Sequence, residues 1–123
     1  MAKILVVDDE PDVRMILRRI LERAGHEVAD AGDGAAALEY VRRAGPDLVV
    51  TDNAMPVMGG VALVRALRAD PATARIPVLA ATAVPGELVD LADAVLLPIY
   101  GRDDVVRAVN ALLAPGTSGS LGS

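Results

Sequence analysis

Residues 3–14 read Lys3-Ile4-Leu5-Val6-Val7-Asp8-Asp9-Glu10-Pro11-Asp12-Val13-Arg14. The apolar run Ile4–Val7 has the composition of a β-strand, and it stops abruptly at two carboxylates. Pro11 then fits the first turn of a helix, where its missing N–H leaves no bond unmade. Asp9 and Glu10 place negative charge beside that helix N-terminus, which the helix dipole favours. A strand passing at once into a helix is the opening half of a βα unit.

The same alternation continues outward from this stretch. Val13, Ile16, Leu17, Ile20, Leu21 and Ala24 recur at helical spacing on the predicted buried side, and Gly25 is a natural stop. His26–Ala31 reads as a short second strand, Asp33-Gly34 as a turn, and Ala35–Ala44 as a helix closed by Gly45-Pro46. Asp47–Thr51 is a third strand, followed by a loop carrying Met55-Pro56 and Gly59-Gly60. Met55 and Met58 are expected to pack that loop against the sheet. Val61–Ala69 is a helix, and Ile76–Ala81 and Ala94–Leu97 are further strands. Asp103–Leu113 forms a last helix, burying Val105, Val106, Val109, Leu112 and Leu113. Strands separated by helices imply a doubly wound α/β domain, because parallel neighbours need crossovers. Between the fourth and fifth strands Pro85-Gly86 leaves only Glu87–Ala92 for a helix, so the fourth helix is expected to be short or missing. We place the domain at residues 1–114 and expect a flexible tail or linker at 115–123.

Composition narrows the function. The chain has 123 residues, is 53% hydrophobic and carries two tyrosines but no Phe or Trp, so aliphatic residues must fill its core. Without aromatic platforms, single-strand nucleic-acid and flavin binding are disfavoured. A net charge of −5 argues against direct binding to nucleic acid or to an anionic membrane. With no cysteine there is no disulfide framework or thiolate metal site. The apolar runs are too short to span a bilayer, and Met1-Ala2-Lys3 leads straight into a strand, so a cytoplasmic protein is expected.

Three strand ends carry marks: Asp8-Asp9, Asp52 after Leu48–Thr51, and Thr82 after Val78–Ala81. In a parallel sheet these ends share one crevice, and crowded carboxylates repel unless a cation is present. A hard divalent ion with oxygen ligands, above all Mg²⁺, relieves that repulsion and suits phosphoryl chemistry. Each mark also has a plain structural reading. Acidic residues suit a helix start, and threonine suits a strand. Asp52 is the hardest to explain so, because no helix start follows it.

Taken together, KILVVDDEPDVR, VVTDNAMPVMGG and PVLAATA resemble the receiver domain of bacterial two-component response regulators over roughly residues 3–113. The resemblance implies a flavodoxin-like (βα)5 sheet of strand order 2-1-3-4-5. It implies a domain that is not an enzyme, with Asp52 as acceptor of a phosphoryl group from a histidine kinase or phosphotransfer protein. Asp9, Asp52 and the Ala54 carbonyl would hold Mg²⁺ directly and Asp8 through water, while Thr82 would bond a phosphoryl oxygen and Ala83 leave room for the switch. An unidentified downstream protein would read the signal.

Three departures accompany the resemblance. Leu97, before Pro98, occupies the place of the family's lysine, and Lys3, the chain's only lysine, starts the first strand, about 15 Å or more from its Asp8 end. Ala94 replaces the aromatic switch residue, and the fourth crossover is short. Arg102, near the start of the last helix, is a poorly placed substitute cation. These departures keep a second reading open, a pseudo-receiver that binds proteins without phosphorylation. An aspartyl-nucleophile phosphohydrolase fits poorly, since Ala54 stands where its acid–base aspartate would be. On the first helix, Arg14, Arg18, Arg19 and Arg23 read as a solvated face, with docking of an acidic partner as the alternative. His26 is expected to be exposed, without a role.

Overall fold

A computed structural model describes residues 1–98 and 100–114. The chain alternates β1 (Lys3–Val7), α1 (Pro11–Arg23), β2 (Glu27–Ala31), α2 (Gly34–Ala44), β3 (Leu48–Thr51), α3 (Gly60–Ala69), β4 (Val78–Ala81), α4 (Leu88–Leu91), β5 (Ala94–Leu96) and α5 (Arg102–Leu113). All strand pairs are parallel, in the order β2-β1-β3-β4-β5. The expected tail, 115–123, lies outside the described residues.

Alternation along each strand splits the core in two. Leu5, Val7, Val49, Val78 and Ala80 face α2, α3 and α4, where Ala37, Val41, Leu63, Val64, Leu67 and Leu88 meet them. Ile4, Val6, Leu48, Val50, Leu79 and Ala81 face α1 and α5, against Leu17, Leu21, Val105 and Val109. Burial on both faces explains why β1, β3 and β4 are apolar runs rather than alternating ones.

The helix boundaries follow local chemistry. Pro11 begins α1, and Gly25 (φ 96°) follows its end. The Asp33 carboxylate caps α2 by accepting the Ala36 N–H at 2.8 Å, and Gly45 (φ 59°) closes that helix in left-handed geometry. The fourth helix is a single turn, as the count between Gly86 and β5 requires. Leu88 buries itself in the core, and the crossover is tied to α3 through ion pairs of Arg65 with Glu87 and of Arg68 with Asp93. Asp93 also accepts the Val78 N–H at 2.7 Å, so one carboxylate holds both strands of the crossover.

Some expectations on α1 and its neighbours are corrected. Ile16 is 58% exposed and Ala24 is also exposed, because the buried stripe narrows to Leu17 and Leu21 with Val13 and Ile20 at its margins. Arg14 and Arg18 are not a purely solvated face: both pair with Asp30 of β2, at 4.0 and 3.6 Å. His26 is half-buried and accepts the Ala2 N–H at Nδ1. Met55 packs on the core as expected, whereas Met58 lies over the start of α2, where its carbonyl accepts the Gly34 N–H. A Cβ on Gly34 would lie 2.5 Å from that oxygen, which explains the glycine.

Candidate functional site

Register builds the site. Val7 pairs with Ala31 and Thr51, and Thr51 pairs with Ala80. The hydrogen-bond ladder then runs one residue past the strands: the Asp8 N–H donates to the Ala31 carbonyl, the Asp52 N–H to Val7, and the Thr82 N–H to Leu96. Each marked residue is therefore the first beyond its strand, held by backbone bonds to a neighbour. The carboxylate oxygens of Asp8, Asp9 and Asp52 come within 4.8 Å of one another. They line a crevice of about 350 Å³ together with Ala54, Thr82, Ala83, Pro98 and Tyr100.

Asp8 is the buried member, 4% exposed, and its carboxylate accepts the Glu10 N–H at 2.9 Å. Arg14 donates to the Asp8 carbonyl at 2.6 Å, fixing the backbone from which the acidic pair projects. Asp52 is half-buried, and its carboxylate accepts the N–H of Asn53 at 2.7 Å. The Thr51 hydroxyl donates to the Asp52 carbonyl. Across the crevice the Asn53 amide donates to the carbonyls of Val84 and Pro85, tying the two loops together. Thr82 is buried, and its oxygen accepts the Val84 N–H at 3.2 Å, leaving the hydroxyl proton to donate.

Burial, more than the neighbouring charges of Asp52, Asp9 and Glu10, pushes the Asp8 carboxyl up to about 6, against the opposing bond from Glu10. The folded chain thus holds a proton that an unfolded aspartate releases near about 3.9. Stability of the metal-free protein should accordingly fall as pH rises from about 4 to about 6, by at most about 3 kcal/mol, and flatten above. His26 contributes with opposite sign, since burial lowers its pKa and stability is lost as pH falls below its unfolded value and through the lower folded one. Urea midpoints across this range for wild type and Asp8→Asn separate the two. Subtracting the variant's profile should leave the Asp8 slope, and identical profiles would contradict it.

The expected metal-holding and phosphoryl-contacting residues meet here: Asp8, Asp9, Asp52, Ala54 and Thr82 line one crevice. Arg102 does not. It lines a separate depression with Ile20, Arg23 and Arg107. Leu97 is 56% exposed, beyond the end of β5. Two further residues belong to the site, Asn53 through its bridging bonds and Tyr100 on the crevice wall. Burial and the charges of Asp8 and Asp52 push the Tyr100 phenol up. Its signal in the sequence was its place, two residues after the Pro98 that ends the fifth strand's run, at the same end of the sheet as the acidic marks.

The model of the response regulator receiver domain family matches residues 4–97. The chain is 40% identical over 104 residues to the DNA-binding response regulator MtrA of Mycolicibacterium smegmatis, covering 85% of this chain and 42% of that protein. It is 33% identical to Protein PilH of Pseudomonas aeruginosa, covering 93% of this chain and 99% of PilH. Among solved structures, the chemotaxis response regulator CheY4 of Vibrio cholerae superposes with a TM-score of 0.83 at 29% identity, covering 92% of this chain and 99% of that one. The chain belongs to the response regulator receiver domain family, with the flavodoxin-like strand order of that fold. It spans less than half the length of MtrA. Among the described residues, no helix is long and apolar enough to cross a membrane.

Proposed function

We propose that this domain accepts a phosphoryl group on Asp52, in a Mg²⁺-dependent transfer from a histidine kinase or phosphotransfer protein. The observation that carries this reading is the convergence of Asp8, Asp9 and Asp52 within 4.8 Å in a crevice that also holds Thr82. The donor set is all hard oxygen, and repulsion within it is what a divalent cation relieves, so the residues fit Mg²⁺. Asp9, Asp52 and the Ala54 carbonyl would hold the ion directly and Asp8 through water. When bound, it supplies charge neutralisation for the transferring phosphoryl group.

In the transfer, an Asp52 carboxylate oxygen forms the new P–O bond while the donor's P–N bond breaks, and the leaving imidazole nitrogen keeps the electron pair. Asn53 orients the carboxylate through its N–H, and Thr82 donates its proton to a phosphoryl oxygen. The domain acts in the cytoplasm as a signalling module, not an enzyme, and passes its state to a downstream protein. Its net charge of −5 disfavours direct contact with DNA or membrane. The output is muted, because Ala94 has no ring to swing and α4 is one turn long.

Intact protein mixed with a small-molecule phosphodonor and Mg²⁺ should gain one phosphoryl mass. A second reading, the pseudo-receiver acting as a phosphorylation-independent interaction module, draws on one observation: among the described lining residues there is no Lys or Arg. Absence of any adduct at excess donor would select it.

A further inference from the structure

Charge balance in the crevice leaves a gap. Its described lining holds Asp8, Asp9, Glu10 and Asp52 but no cation, so an anion added to Asp52 needs donors from elsewhere on the wall. Leu97 offers none, and Arg102 opens onto a different depression. Apart from the carboxyl groups, the lining side chains with a proton to donate are Thr82 and Tyr100. Thr82 comes from the β4 side of the crevice, and Tyr100 arrives on the segment between β5 and α5. The Tyr100 phenol makes no hydrogen bond to any described residue, while its ring is half-buried against the α1–α5 core layer. A packed ring with an uncommitted hydroxyl beside an acidic cluster is a donor held in place for a ligand oxygen.

We propose that Tyr100 is a phosphoryl-binding residue, donating its phenolic proton to an oxygen of the group on Asp52 and taking the place left by Leu97. This rests on the phosphoacceptor reading above. A phenol is a neutral donor, so it orients the phosphoryl oxygen and strengthens its binding but does not cancel its charge. The site therefore keeps one contact from each side, Thr82 and Tyr100, without any lysine.

The chain's aromatic poverty makes the test clean, because it has two tyrosines and no Trp. In a Tyr40→Phe background Tyr100 is the sole emitter. Its fluorescence should change in step with adduct formation, followed by intact mass during treatment with acetyl phosphate and Mg²⁺, and should stay constant in Tyr40→Phe/Asp52→Asn. Tyr100→Phe keeps the ring and its packing. It should lower the initial rate of adduct formation about tenfold, the scale of a hydrogen bond to a charged group. The melting-temperature gain from Mg²⁺ alone should remain that of wild type, which a general distortion of the crevice would not allow. An adduct that forms equally fast in wild type and Tyr100→Phe overturns the assignment and leaves the acceptor reading standing. Failure of wild type itself to form an adduct overturns both, and the two failures are told apart by the wild-type mass spectrum.

Discussion

Asp52→Asn should be a folded protein that never gains a phosphoryl mass, at donor and Mg²⁺ concentrations that label the wild type. The amide keeps the size of the carboxylate, and its oxygen can still accept the Asn53 N–H that holds the native side chain at 2.7 Å. What is lost is the anionic nucleophile, and no neighbour replaces it. Asp8 is buried and bonded to Glu10, and Asp9 is the exposed member of the cluster. Removing one of three clustered charges also relieves repulsion, so the metal-free variant should be at least as stable as wild type while gaining less from Mg²⁺. Adduct persisting on the variant, mapped by fragmentation to another carboxylate, would show that the acceptor has been misassigned.

Leu88→Ala should cost about 2–5 kcal/mol, the range for truncating a fully buried leucine. Leu88 has no exposed surface, although it belongs to a helix of only four residues. Such a helix has little stability of its own and stays in place through packing. The leucine sits over α3, and a Cβ on Gly60 would come within 3.1 Å of its Cδ1 and 2.4 Å of the Asp52 carbonyl oxygen. One buried side chain therefore secures the crossover next to the backbone of the proposed acceptor. Urea unfolding monitored by circular dichroism should show a lower midpoint with an unchanged slope. A loss below about 1 kcal/mol would mean that the ion pairs to Arg65 and Arg68 hold the crossover instead.

Most of this architecture is readable in the amino-acid sequence. The central strands β1, β3 and β4 announce themselves because they are buried on both faces, which writes each as an apolar run, whereas β2 carries Glu27 and Asp30 and gives a weaker signal. The shortness of α4 follows from counting residues after Pro85-Gly86. Asp8, Asp9, Asp52 and Thr82 were legible because parallel strands bring their carboxyl ends to one rim, while Ala54 entered only through the resemblance to receiver domains. The misreadings have a common physical origin in contacts between elements distant in sequence. Ile16 fits the helical stripe, yet the width of the buried stripe depends on how closely α5 approaches α1, which periodicity does not encode. Arg14 and Arg18 look solvated until β2 brings Asp30 beside them. Tyr100 was hidden for the same reason, since only the path of the chain between β5 and α5 decides whether its ring meets the core or the crevice. Asn53 is more subtle: its neighbour Asp52 draws attention, while its amide bonds loops separated by 31 residues.

The brevity of β5 has a consequence for how copies of this domain meet one another. A parallel sheet ends in two open margins, each offering unpaired backbone N–H and C=O groups to any passing chain. Here one margin is β5, with three residues, too short to template a stable added strand. The other is β2, five residues long, and it carries Glu27 and Asp30, with Asp30 held on the outside by two arginines. A second copy arriving at β2 would set like charges side by side, and one arriving at β5 would find almost nothing to bond. Sheet extension is thereby discouraged at both ends, which leaves helical surfaces as the places where this domain is free to associate.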